Sequence, residues 1–345
     1  MRALLPCAVF ATLGISPVAA PLLSAQQIKT AAEEFKNVQV LKRVPADQWF
    51  DTMAFIAGSL GVTCDHCHSA QFETDNPKKL KAREMMRMVD GINSDHFGGR
   101  TVVTCNTCHR GTLKPQATPV PEEEHWVKET RSASPRADEI LDRYRKMVAT
   151  VKTQSMSMHV ETFGGNGPTK EKSANVCLEG ASARISEEDG KGSRKMIRSG
   201  KNAWVHEGER WRAMNEGETF DAFEVAEVFA PDQVGKVSPT GPVFTDRSQG
   251  MLTYVVPAQG KESRMWLFFD AETGRLVQRR EFFSSFYGDG ATEIRYKDFK
   301  RFGSAVLPMT VTVINAGGAG LIVRKIVSRR VNIRFPQSTF EPADN

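Results

Sequence analysis

The pattern Cys-x-x-Cys-His occurs twice in this chain, as Cys64-Asp65-His66-Cys67-His68 and as Cys105-Asn106-Thr107-Cys108-His109. Its spacing is that of a covalent attachment site for a c-type haem: two thiols add to two vinyl groups, and the adjoining imidazole is held where it can bind iron. One copy of so short a pattern can be accidental, but two copies close together argue for two attached haems and for a mainly α-helical segment around them. Two Cys-x-x-Cys pairs could also make a tetrahedral zinc site or, in an oxidising compartment, two disulfides. Residues three apart close very small loops, however, and neither alternative needs a histidine directly after each pair.

The compartment follows from the first residues. Arg2 gives a positive start, Leu4 to Val18 form an apolar run broken by Pro6 and Pro17, and Leu23-Ser24-Ala25 offers a small-residue cleavage site, so residues 1–25 read as a secretory signal peptide. The run is short for a membrane span. The expectation is a periplasmic, soluble protein, with a retained membrane anchor as the alternative. Cys7 leaves with the signal, and Cys177 is left as a core thiol of a strand. A formal charge of +5 with no basic tract gives no reason to expect nucleic acid. A weakly basic surface would suit an acidic redox partner.

At 345 residues the chain can form two domains, each with its own core. Residues 26–112 hold both motifs. Residues 113–133, proline-rich and then acidic, read as an extended linker. Residues 134–345 open with a helix, Ser134 as N-cap and Pro135 in its first turn. Ile140, Leu141, Tyr144, Met147, Val148 and Val151 give that helix one apolar face. The period then changes to two, with strands expected at 156–163, 176–180, 203–206, 252–256, 265–269, 276–281, 292–296, 306–313 and 321–332. Asp270 to Gly274 reads as a hairpin turn, and Glu187-Glu188-Asp189 as a solvated turn. One helix followed by many strands indicates an antiparallel sheet or half-barrel, which makes the fold class a mainly α dihaem domain followed by an α+β antiparallel half-barrel wrapped on a helix.

Haem iron takes its chemistry from its axial ligands. A helix from Pro45 to Leu60 precedes the first motif, with Trp49, Met53, Ile56 and Leu60 on one face. A second, Pro77 to Asn93, is capped by Asn76 and carries Ala82, Met85, Val89 and Ile92 as its apolar stripe, with Met86 and Met88 alongside. Methionine at such spacing is usually packing. Here each motif is preceded by a methionine-bearing helix, so Met53 reads either as core or as a sixth ligand.

These residues carry a resemblance. Asn37 to Leu41, Thr52-Met53 and Cys64 to His68 resemble the first haem segment of the photosynthetic reaction-centre cytochrome c subunit. Ala82 to Met85, Ile92-Asn93 and Val103 to Gly111 resemble its second. In that family the helix before each motif donates a methionine to iron. The resemblance therefore implies two haems bound through Cys64 and Cys67, and through Cys105 and Cys108. It implies His68 with Met53 on one iron and His109 with Met85 on the other, with Met88 as the alternative to Met85. It covers about residues 35–115. The photosynthetic subunit carries four haems, whereas only two motifs stand here. His96, in the expected loop 94–101, does not fall where the family places a histidine for a further haem and reads as a surface residue. A photosynthetic role therefore does not carry over. More weakly, Tyr296 to Phe299 and Val306 to Pro308 before a last long hairpin resemble the outer-membrane lipoprotein carrier half-barrel, which can hold acyl chains. His125, His159 and His206 are scattered and form no catalytic set.

The reading is a periplasmic electron carrier rather than an enzyme. Its partners would be a redox protein or quinol-linked donor and an acceptor. One alternative is a haem enzyme or small-molecule sensor with an open iron site. Another is a lipid- or quinone-binding module in the second domain with accessory haems.

Overall fold

The computed structural model describes residues 28–69, 71–115, 135–163, 170–207, 209–215, 236–260, 263–315 and 320–342, with isolated positions between 219 and 234. The expected signal peptide, nearly all of the expected linker, Ser134 and His125 lie outside the described residues.

Residues 28–115 are helices and loops: α1 (Ala31–Glu34), α2 (Trp49–Leu60), α3 (Cys64–Cys67), α4 (Pro77–Phe97) and α5 (Cys105–His109). A short 3-10 turn, Ala46–Gln48, leads into α2, so the α-helix proper begins at Trp49 rather than Pro45. It ends at Gly61 in the left-handed conformation, at φ 62°. Asn76 caps α4 as expected, its side chain accepting from the Lys79 amide. The helix runs on to Phe97 and stops at Gly98, φ 61°, so His96 is an exposed residue of the last helical turn and not of a loop. The face that α4 buries is Lys79, Arg83, Met86, Val89 and Asn93. The core methionine of this helix is therefore Met86, while Met85 and Ile92 are only half-buried. Ala31, Leu41, Val44, Ile56, Met86 and Val89 form the small apolar cluster of this region.

The second region begins with α6 (Ala137–Val148), two residues later than Pro135. Glu139 folds back to accept from the Arg136 amide at 3.2 Å and so closes the N-terminus. Ile140, Leu141, Tyr144 and Val148 are buried, and Met147 and Val151 pack against the same core, as the periodicity requires. Burying a side chain of this kind contributes about 1.5–3 kcal/mol.

The strands follow as β1 (Thr153–Phe163), β2 (Lys170–Glu179), β3 (Ser182–Asp189), β4 (Gly192–Ser199), β5 (Asn202–Glu207), β6 (Arg210–Ala213), β7 (Ser238–Pro239), β8 (Phe244–Ser248), β9 (Met251–Gln259), β10 (Arg264–Asp270), β11 (Leu276–Ser285), β12 (Gly288–Lys297), β13 (Lys300–Phe302), β14 (Ala305–Leu307), β15 (Thr310–Asn315) and β16 (Gly320–Val331). The main sheet has the order β6-β5-β4-β3-β2-β1-β16-β15-β12-β11-β10-β9-β7, with β8 also on β9, and its pairs are antiparallel. Register shifts at Ser157/Met158 and Phe268/Phe269 mark irregularities of the bulge type, which add local twist. One face of the sheet packs against the buried side of α6, an antiparallel sheet on a helix as the pattern implied.

The strands missed from sequence are mostly charged. Glu187 to Asp189 close β3 rather than forming a turn, and Glu187 pairs with Lys172 across the sheet at 2.6 Å. Pro308 divides the expected strand 306–313 between β14 and β15. Cys177 does lie on a strand, but it is half-buried on the face opposite Val176 and Leu178, so it is not a core thiol. The turn at Asp270 to Gly274 forms as expected, with Thr273 donating to Asp270 and Gly274 at φ 72°.

Candidate functional site

Threonine precedes the first cysteine of each motif and introduces a helix of a single turn or little more. The His66 amide donates to Thr63 O at 3.0 Å, and the Thr107 amide to Thr104 O at 3.1 Å. In the first motif His68 stands just beyond α3, its ring stacked on Phe72 with centroids 5.0 Å apart. His68 Nδ1 lies 3.3 Å from the carbonyl of Phe72. A carbonyl only accepts, so Nδ1 carries the proton and Nε2 keeps its lone pair. Lys79, buried at the start of α4, donates to the same carbonyl and to Thr74 O at 2.9 Å. Asn76 both caps α4 and donates to Cys67 O at 2.8 Å, so the helix start and the motif are one unit. The loop between them is tied back by Asp75, which pairs with Arg83 at 2.8 Å and accepts from Asn37 at 2.8 Å.

The second motif repeats the imidazole geometry with different supports. His109 Nδ1 lies 3.0 Å from Thr112 O, so Nε2 is again the free nitrogen. Buried Asn93 holds the approach to Cys105: its amide donates to Val103 O at 2.8 Å, and its oxygen accepts from the Val102 and Val103 amides at 3.1 and 2.8 Å. On the far side, the Gly111 amide donates to Ser59 O at 2.9 Å, anchoring the motif on the last turn of α2. The approach is so close that a methyl group on Gly61 would run into the carbonyl of Gly111.

Burial pushes the Cys67 and Cys105 thiols up from their ordinary values, so both are neutral. Burial, with Lys79 nearby, pushes His68 down and favours the neutral imidazole that can ligate a metal. Cys64 and Cys108 are exposed, and all four motif cysteines are free. Among the described residues no three His, Cys, Asp or Glu side chains gather as a metal site, so the two pairs do not converge as a zinc-binding set would. Met53 is half-buried against the apolar cluster, Met85 is half-buried beside it, and Met88 is 48% exposed. The donor set fits covalently held haem: paired thiols, an oriented imidazole with a free Nε2, and thioethers on the preceding helices that the core has not fully enclosed.

Among its described residues the half-barrel brings together no comparable set. His159 is exposed on β1, and His206 lies edge-on to Trp211 with centroids 5.1 Å apart. Beneath α6 is a cavity of about 40 Å³ lined in part by Tyr144, Phe229, Tyr296 and Arg329. Small-molecule sites generally need about 300 Å³ or more, so an acyl chain or quinone would have to displace side chains to enter this cavity. The residue that sequence reasoning missed is Tyr287. It sits at the β11–β12 turn yet packs into the apolar cluster of the motif region. Two bulky aromatic residues at a two-residue turn were the available signal, since such turns favour Gly, Asn and Asp.

Residues 9–172, just under half of the chain, match the family model described as the photosynthetic reaction centre cytochrome C subunit. The chain is 36% identical over 81 residues to a cytochrome c-554 of Chloroflexus aurantiacus, covering 21% of this chain and 20% of that protein. It is 32% identical over 113 residues to a photosynthetic reaction center cytochrome c subunit of Rubrivivax gelatinosus, covering 31% of this chain and 29% of the relative. The match thus spans less than a third of either relative's length. The family match lies in the N-terminal part of the chain, where both motifs stand, and makes that part similar to c-type cytochromes. Over 60% of this chain, the fold is similar to the solved structure of a LolA superfamily protein from Nitrosomonas europaea, covering 98% of that chain at 13% identity and TM-score 0.46. No helix among the described residues is long and apolar enough to cross a membrane.

Proposed function

We propose that this protein is an exported electron carrier with two covalently attached c-type haems, acting in the periplasm between a redox-protein or quinol-linked donor and an acceptor. Cys64 and Cys67 supply the thioether links of one haem, and Cys105 and Cys108 those of the other. Haem bound in this way supplies one-electron chemistry at iron. The carrying observation is the matched pair of imidazoles. His68 and His109 each spend Nδ1 on a backbone carbonyl, Phe72 O and Thr112 O, and present Nε2 as a ligand in a fixed ring orientation.

In this reading Met53 and Met85 would be the thioether ligands of the two irons. Imidazole and thioether are both neutral and need neither gain nor lose a proton when an electron arrives. With a histidine and a methionine of the chain as ligands, neither iron would be open to a substrate, which favours a carrier over an enzyme or sensor. Met86 is the core methionine of α4, which leaves half-buried Met85 freer to ligate. Lys79 and Asn76 keep the first imidazole and its cysteines in register, while Asn93 and the Gly61–Gly111 contact do so for the second.

Pyridine haemochrome analysis of the purified full chain, with haem staining after denaturing electrophoresis, tests attachment. The expected result is two covalent haems per chain, falling to one in Cys64→Ser/Cys67→Ser and to one in Cys105→Ser/Cys108→Ser. Zinc in place of haem, or haem that leaves on denaturation, overturns the reading.

A further inference from the structure

The turn joining β11 to β12 is Phe286-Tyr287, and it reaches out of the half-barrel into the helical region. Its backbone is fastened there, the Phe286 amide donating to Oγ1 of Thr52 at 3.3 Å. Thr52 is fully buried and itself donates to Gln48 O at 2.8 Å. The Tyr287 ring stacks on Phe55 at 5.8 Å between centroids and joins Ile56, Met86 and Val89 in one cluster, against which Cys105 also packs. Gly288, at φ 115°, takes the backbone conformation that lets two bulky residues occupy the turn itself.

Tyr287 is 5% exposed, yet its hydroxyl has no hydrogen-bond partner among the described residues. A buried hydroxyl left in that state costs about 1–3 kcal/mol, and nothing in the packing of the ring requires the oxygen, since phenylalanine would stack on Phe55 equally well. Burial, with Asp90 close enough to act on it electrostatically, holds the phenol well above its usual range, so it is a neutral O–H donor. Asp90 itself does not accept the proton. A group attached at Cys105, which packs against the same cluster, would stand where it could supply that acceptor.

We propose that the β11–β12 hairpin completes the pocket of the second haem, with the Tyr287 hydroxyl donating a hydrogen bond to the haem unit anchored at Cys105. The acceptor is the Cys105 thioether sulfur or a haem carboxylate, and both give the same sign. A donor dipole with its positive end toward the haem favours the reduced state, which carries one more electron. Tyr287 is on this view a positioning and tuning residue. The half-barrel is then a part of the redox centre rather than a separate appendage. The inference rests on the two-haem reading above.

The test is a redox titration of full-length holoprotein, wild type against Tyr287→Phe, after the haem count of each has been measured. With two haems present in both, the expected result is that one haem shifts to lower potential while the other is unchanged. The reduction equilibrium changes by several-fold up to about tenfold, or ~59 mV for a one-electron couple. Thermal unfolding is a second readout: Tyr287→Phe should lower Tm, because a made hydrogen bond is lost. Unchanged potentials with a raised Tm overturn the inference, since the hydroxyl would then be an unpaired burden. A wild-type chain without covalent haem instead overturns the reading on which the inference rests.

Discussion

In the half-barrel a residue's surroundings follow from its place in an alternation. Ala174, Val176 and Leu178 point into the core while Asn175 and Cys177 between them do not, and the same rule runs along β1 from Met156 to Val160. Residues 28–115 have no such repeat. Their apolar cluster is small and takes one of its members, Tyr287, from the half-barrel. The backbone around the two motifs is fixed instead by individual polar side chains, each serving several groups: Asn76, Lys79 and Arg83 at the first, Asn93 at the second. An apolar core spreads its energy over many contacts. A polar clamp concentrates it in one residue and holds a precise geometry, which is what an iron ligand needs.

That contrast can be broken by mutation. Leu267 is fully buried in the sheet core. Leu267→Ala should destabilise the half-barrel by about 2–5 kcal/mol, seen as a shift in denaturant midpoint, with both haem potentials unchanged. Asn93→Ala should cost about 1–3 kcal/mol by leaving buried backbone groups without partners. Unlike the core variant, it should also perturb the spectrum of the haem at Cys105 and Cys108. Equal spectral effects from both variants would erase the distinction between the regions.

A smaller effect concerns the loop after the first motif. The hydrogen bond from Arg83, together with that from Asn37, holds the Asp75 carboxyl below its ordinary range. A group whose folded-state value is depressed stabilises the fold above its unfolded value and loses that contribution as pH falls through the folded one. The stability gap between wild type and Asp75→Asn should therefore be full at neutral pH and close as pH drops below the usual carboxylate range. Unfolding curves at a series of pH values check this, and a gap that does not vary with pH would show that the ion pair carries no weight.

The two regions also differed in how much could be read from sequence. The capping Asn76, the apolar face of α6 and the turn at Asp270 to Gly274 are local signals, and each forms where the residues indicated. The stripe on α4 was displaced because its buried face includes Lys79, Arg83 and Asn93, polar residues that enter the interior only because each finds partners there. Strands β3, β4 and β6 escaped notice because their many charged residues obscure the period of two. Tyr287 could not be placed at all without the fold, since its contacts lie more than 180 residues away in the chain.

The central proposal is that His68 with Met53, and His109 with Met85, would ligate two haem irons. Optical and low-temperature paramagnetic resonance spectra of the fully oxidised protein test it directly. The account predicts two low-spin centres and a methionine-sulfur band at the red edge of the spectrum. That band should be reduced in Met53→Ala and in Met85→Ala, lost in the double variant, and untouched in Met88→Ala. A high-spin signal from the wild-type protein would contradict the account.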